Sequence, residues 1–287
     1  MRCAAGLPPG RRGGLMLSPA ANETLEIGID IGRLPIAIQT DDPEYIRTLE
    51  HRFARFQCNP AGAIARLQVT VTEPPVSKGG DDELKVERAG TQWTMRRGDF
   101  AAQWNPTERR GQLRSLPFHY ALDSVLRIVH SLELAESGEG FLLHSASVIR
   151  NGRAFLFSGV SGAGKTTISR LAPADVTLLS DEISYVRMLG ERYYAFGTPF
   201  AGDLGISGEN VMAPLHTVYF LNKGDRNRIS PVSPAAAVSS LLRNVLFFAD
   251  DERLVGRVFQ TACEFVSRVP VFELTFRPDE EVWNLIR

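Results

Sequence analysis

The run Gly159-Val160-Ser161-Gly162-Ala163-Gly164-Lys165-Thr166 sets glycine, lysine and a hydroxyl at the spacing G-x-x-x-x-G-K-[ST]. Glycines let a main chain curl until successive N–H groups point inward at phosphate oxygens, and the start of a following helix adds to that field. A Cβ at Gly162 or Gly164 would restrict the curl. Lys165 would bring a point charge to the β- and γ-phosphates. Thr166 would offer a hydroxyl to Mg²⁺, a hard ion that keeps most of its waters and takes one or two protein ligands. An apolar strand run, Ala154 to Ser158, precedes the loop, and a helix-like segment with Thr167, Ile168 and Leu171 follows it, which is the context this motif requires. Nucleotide binding is the chemistry predicted, with Gly159, Ser161, Gly162, Ala163, Gly164, Lys165, Thr166 and Thr167 as the binding residues.

Pro173 stops the helix, and Val176-Thr177-Leu178-Leu179 reads as a strand ending in Ser180-Asp181-Glu182. A strand beside that of the glycine loop would deliver both acids to one end of the sheet. One carboxylate would then hold a metal and the other would take a proton from an incoming hydroxyl. Capping a turn is the other reading of the pair. Upstream, Phe141 to Val148 is a further strand that carries His144 in apolar company, a position as suited to a core as to a site. Lys223, Arg226 and Arg228 follow the strand Val218-Tyr219-Phe220-Leu221, either to neutralise a transferring phosphate or as a solvated turn. His216 and Cys263 are assigned to packing.

The elements that must position these residues fall into three stretches. Residues 1–22 carry three arginines, no acid and a Pro8-Pro9-Gly10 breaker, and read as a disordered tail. Residues 23–115 read as a small α+β domain. In it Leu67, Val69 and Val71 alternate as a strand, and Ala89-Gly90 turns a hairpin. Asp42-Pro43 opens a helix with Ile46, Leu49 and Phe53 on one side. Residues 116–287 form the α/β domain of the loop, entered by a helix from Phe118 to Ala135 with Leu122, Val125, Leu126, Val129 and Leu132 on one side.

The 287 residues carry a formal net charge of −1, with 44% hydrophobic and 23% charged residues. That balance supplies a real core and no broad field for nucleic acid or an anionic membrane. No stretch is apolar enough to cross a bilayer. The three cysteines are far apart, which fits a reducing, cytoplasmic setting.

Together these residues resemble the catalytic domain of the HPr kinase/phosphorylase family. The points of resemblance are His144 in a Leu-His strand, a G-x-S-G-x-G-K-[ST] loop 15 residues on, and a nearby strand ending in two acids. The stretch Gly197-Thr198-Pro199-Phe200-Ala201-Gly202-Asp203 is similar to a branch of bacterial HPr kinase-related proteins that carry a different N-terminal domain, some from peptide-modification gene clusters. So are Asn227-Arg228, Ser230-Pro231 and Ser233-Pro234. The resemblance covers about residues 138–249. It implies a curved mixed sheet with a P-loop, the fold shared with phosphoenolpyruvate carboxykinase. It also implies ATP- and Mg²⁺-dependent phosphorylation of a hydroxyl, a serine of a peptide or small protein. The roles implied are Asp181 as general base with His144 beside it, Lys165 at the phosphates, and Thr166 and Glu182 on the metal. The family's arginine-glycine signature is missing, since Asp203-Leu204-Gly205-Ile206 stands there, and no basic phosphorylase loop is evident. Neither HPr as substrate nor phosphorolysis is therefore implied. The family's hexamer makes a homo-oligomer an expectation. The alternative is an ATP-binding regulatory or scaffold protein without a phosphoacceptor, and a carboxykinase-like enzyme acting on a small acid ranks third.

Overall fold

Within residues 24–72 and 83–287, which the computed structural model describes, alternation of apolar and polar residues builds the first sheet. Strands β1 (Leu25–Ile31) and β2 (Leu34–Thr40) form a hairpin that buries Ile27, Ile29, Ile31, Leu34, Ile36 and Ile38. Helix α1 (Pro43–Arg52) starts where the Asp42 carboxylate accepts the N–H groups of Glu44 and Tyr45 at 2.8 and 2.9 Å, with Pro43 in the first turn. Strands β3 (Gln57–Cys58), β4 (Ala65–Val71), β5 (Lys85–Ala89), β6 (Gln92–Arg97), β7 (Phe100–Asn105) and β8 (Arg110–Ser115) complete it. The eight strands lie in the order β3-β1-β2-β4-β8-β7-β6-β5, and the expected hairpin at Ala89-Gly90 is β5–β6. The tail expected over residues 1–22 lies outside the described residues.

Helix α2 (His119–Ser137) ends at Gly138, whose φ of +68° is left-handed. Its apolar stripe is covered on both sides. One core runs from the first sheet through Leu122, Val125, Leu126 and Val129 to Leu142, Ile183, Tyr185, Phe196 and Phe200 beyond the helix. Each such side chain contributes roughly 1.5–3 kcal/mol on burial, so α2 is the joint between the two halves.

The second half comprises β9 (Gly140–Arg150), β10 (Arg153–Ser158), α3 (Lys165–Arg170), β11 (Thr177–Ser180), β12 (Ile183–Leu189), β13 (Arg192–Phe196) and β14 (Met212–Lys223). There follow β15 (Arg228–Pro231), α4 (Pro234–Leu242), β16 (Val245–Leu246), α5 (Glu252–Arg268) and β17 (Val271–Phe276). The nine strands form one mixed sheet along β10-β9-β12-β13-β14-β17-β15, with β11 and β16 on β9. Two long strands change partner midway. β9 pairs with β12 over Gly140–His144 and with β10 over Ser145–Arg150. β14 pairs with β13 through Met212–Pro214 and runs parallel to β10 from Leu215 to Phe220. The pairing therefore returns on itself: β10-β9-β12-β13-β14-β10.

This topology corrects one expectation. The acid-bearing strand does not lie beside the strand of the glycine loop: β11 pairs with β9, and β9 runs between it and β10, antiparallel to both. The architecture as a whole is mixed α/β, two large sheets with few helices. No helix among the described residues is long and apolar enough to cross a membrane.

Candidate functional site

The glycine loop leaves β10 at Ser158 and enters α3 at Lys165. Gly162 and Gly164 take φ of +77° and +111°, values that L side chains avoid. At Gly164 a Cβ would also come within 2.7 Å of the Phe276 ring, so strand β17 forms the back of the loop. Inside the curl, Lys165 Nζ donates to the carbonyl oxygens of Gly159 at 2.9 Å and Val160 at 3.4 Å. Burial pushes the Lys165 ammonium below its usual range, against the opposing pull of Glu182 and Asp203.

Strand β9 brings the acids to this loop. The hydroxyl of Ser158, at the end of β10, donates to His144 O at 3.0 Å, and the next residue's N–H, that of Ser145, donates to Glu182 O at 2.9 Å. The turn at Asp181-Glu182 is fixed from below by hydroxyls. Ser180 Oγ accepts the N–H of Ile183 at 3.0 Å, and buried Thr198 Oγ1 donates to Ile183 O at 2.7 Å.

The two acids then differ. Asp181 is buried, and each of its oxygens accepts a backbone N–H, Oδ1 from Gly202 at 2.9 Å and Oδ2 from Leu204 at 3.0 Å. Glu182 is half-buried. Burial raises its pKa most, the Arg127 charge opposes this, and the neighbouring Asp181 and Asp203 carboxylates raise it further. His144, also half-buried, is held below its ordinary pKa by burial and then by Lys165, so its imidazole is neutral at pH 7.

One cavity of about 440 Å³ gathers these groups. Of the residues predicted from sequence, Ser161, Gly162, Gly164, Lys165, Thr166 and Thr167 face His144, Asp181 and Glu182 across it. Gly159 and Ala163 do not line it: the Gly159 carbonyl holds Lys165, and Ala163 packs in the apolar core with Phe157 and Ile168.

Gly202, Asp203 and Lys223 complete its lining. Asp203 lies across from the loop, its Oδ2 3.5 Å from Thr166 Oγ1. Its place in the Gly197–Asp203 stretch was the only signal in the sequence. Lys223 lines the cavity because β14 runs parallel to β10, with Phe220 opposite Ser158, so both chains leave the sheet at one end. Arg226 and Arg228, from the same predicted turn, do not line it. Behind Glu182, Arg127 of α2 stands over the Phe200 ring, 5.0 Å from its centroid.

Comparison with known proteins adds three findings. Residues 118–286 match the family model described as "SynChlorMet cassette protein ScmC". No curated protein matches the chain. A solved structure, the Hpr(Ser) kinase/phosphatase from Coxiella burnetii, is similar over 51% of this chain and 90% of its own, at 11% identity and a TM-score of 0.29, a distant likeness. The family match takes in α2 and the whole nine-stranded sheet, more than half of the sequence, and the chain therefore belongs to the ScmC family of SynChlorMet cassette proteins.

Proposed function

We propose that the cavity binds a nucleoside triphosphate, ATP, with Mg²⁺, and passes the terminal phosphoryl group to a hydroxyl, a serine of a peptide or small protein. One observation carries this reading: a curled glycine loop with an inward lysine faces three carboxylates, those of Asp181, Glu182 and Asp203, across a single cavity. The curl matches what a chain of phosphates needs, since left-handed glycines leave the N–H groups free of side-chain cover. Lys165 would exchange the carbonyls of Gly159 and Val160 for phosphate oxygens.

The donor set also fits the metal. Among the described residues no group of three or more His, Cys, Asp or Glu is arranged to hold an ion. Mg²⁺ does not require one, because it is bound through one or two protein oxygens, waters and phosphates. Thr166 and Asp203 would hold it, Asp203 in the role that the family resemblance gives to Glu182, and when bound it would offset charge on the phosphoryl oxygens.

Proton acceptance suits Glu182 better than Asp181, the base that the family resemblance implies. Both Asp181 oxygens are engaged by backbone N–H groups, whereas Glu182 is bound less tightly and has a raised proton affinity. Glu182 would take the acceptor's hydroxyl proton as the new oxygen–phosphorus bond forms and the bond to the departing nucleoside diphosphate breaks. Neutral His144 would share a hydrogen bond with the acceptor.

Calorimetry with MgATP tests the binding half, with Lys165→Met as the control expected to show no heat. Incubation with γ-labelled ATP and serine-containing peptides, followed by mass spectrometry, tests transfer. The engagement of Asp181 favours one second reading, an ATP-binding regulatory protein without a phosphoacceptor, and heat without label on any acceptor would establish it. No heat at all overturns both.

A further inference from the structure

We infer that Arg52, on helix α1 of the first sheet, is a positioning residue for this cavity, acting through the 198–209 segment that carries Asp203. Its consequence for turnover rests on the phosphoryl-transfer reading; its positional claim does not.

Between β13 and β14 the chain forms no helix or strand. Its ends are tied to β11, by the Thr198 N–H to Leu179 O at 3.0 Å and the Glu209 N–H to Leu178 O at 3.2 Å. Further bonds hold the segment from two sides, at its middle by Asp181 and beside its two ends by arginines. On the cavity side, the N–H groups of Gly202 and Leu204 reach Asp181. On the far side, Arg52 Nη2 donates to Pro199 O at 2.8 Å and Nη1 to Ser207 Oγ at 3.2 Å. Arg55 adds bonds from Nη1 to Ser207 O at 3.2 Å and to the Glu209 carboxylate at 2.8 Å.

Arg52 is itself held in place. Asp123 of α2 accepts its Nε and Nη2 at 3.3 and 2.9 Å, and the two side chains are only 15% and 10% exposed. Arg127, one turn along α2, covers Phe200 from the same side. A planar fork with five donors can serve a carboxylate and two loop acceptors at once, which an ammonium on a flexible stem cannot reproduce. An irregular segment without such ties opens locally at little cost. Asp203 would then move away from Thr166. A side chain of the first sheet thus sets the place of a carboxylate in a cavity built by the second.

Removing Arg52 alone would leave Asp123 as a buried unpaired charge. The test therefore pairs Arg52→Met with Asp123→Leu in the full chain, and separately uses Arg55→Ala at an exposed residue. Hydrogen exchange on the nucleotide-free protein should rise about tenfold or more over 198–209 in the double variant, and about twofold in Arg55→Ala, with 153–158 unchanged. With a serine acceptor, kcat should fall about tenfold or more while the Kd for magnesium-free nucleotide stays within about twofold, and Arg52→Lys should not restore it. Exchange over 198–209 as slow as wild type, or an equal rise over 153–158, overturns the inference. If the double variant does not fold, Arg52→Lys takes its place, and exchange over 198–209 as slow as wild type in that variant overturns the inference. A wild-type chain that binds no nucleotide would sink the phosphoryl-transfer reading alone.

Discussion

Asp181 Oδ1 accepts the Gly202 N–H at 2.9 Å, and Gly202 sits so closely on the acid turn that a Cβ there would stand 2.8 Å from Glu182 Cβ. The acids and the segment opposite are therefore one packed unit. Asp181→Asn would set an amide NH₂ against one of two backbone N–H groups, leaving donors face to face. Loss of about 1–3 kcal/mol is expected in urea unfolding, and an unchanged midpoint would contradict the arrangement.

Glu182 gives a second test through pH. Its pKa is raised in the folded state, chiefly by burial. The folded protein therefore binds more protons there than the unfolded chain, and this contribution to stability, full below the unfolded pKa, is lost as pH rises through the folded one. Glu182→Gln should unfold at higher urea than wild type at pH 7, with the advantage shrinking towards pH 4. Under the proposed mechanism it should also slow transfer about 10²–10⁴-fold with nucleotide affinity kept. Superimposable stability profiles would remove the burial argument.

Two glycines of the loop are expected to differ. Gly162 has φ of +77° and open space where a Cβ would go, so Gly162→Ala should cost about 1–2 kcal/mol of backbone strain. Gly164 adds a collision with the Phe276 ring at 2.7 Å. Gly164→Ala should cost about 1–3 kcal/mol more, and thermal melts of the two variants side by side decide it.

His130 on α2 is fully buried, with both ring nitrogens unpartnered and its ring edge-on to Tyr185 at 5.5 Å. Burial pushes its pKa down to about 3. Between there and the ordinary value near 6.5 the unfolded chain binds the proton and the folded one does not, so stability falls as pH falls. The slope from this residue approaches about 1.4 kcal/mol per pH unit. Denaturation of His130→Leu should show a shallower loss between pH 6 and 4 than wild type. Parallel curves would mean that carboxylates alone carry the acid sensitivity.

What the sequence revealed was local. The Asp42 cap, the stripe on α2, the hairpin at Ala89-Gly90 and the glycine loop each depend on neighbours within a few residues. The chain order of strands was readable, but their lateral order was not. Nothing near residue 150 announces that β9 changes partner midway and separates β10 from β11. The approach of Asp203 to Thr166 and the reach of Arg52 to Ser207 are set by packing across the molecule, which periodicity does not encode. Surface placement misled in the same way: Cys263, expected in packing, is exposed on α5. His216, by contrast, does pack, with its ring 5.3 Å from that of buried Phe155.

The contact between Phe276 and Gly164 also has a meaning for synthesis. A ribosome-tethered chain that has displayed its glycine loop but not yet β17 lacks the wall against which that loop rests. Under the proposed function, competence for ligand would be withheld until the distant C-terminal strand has docked beside β14, and half-made chains would not sequester nucleotide.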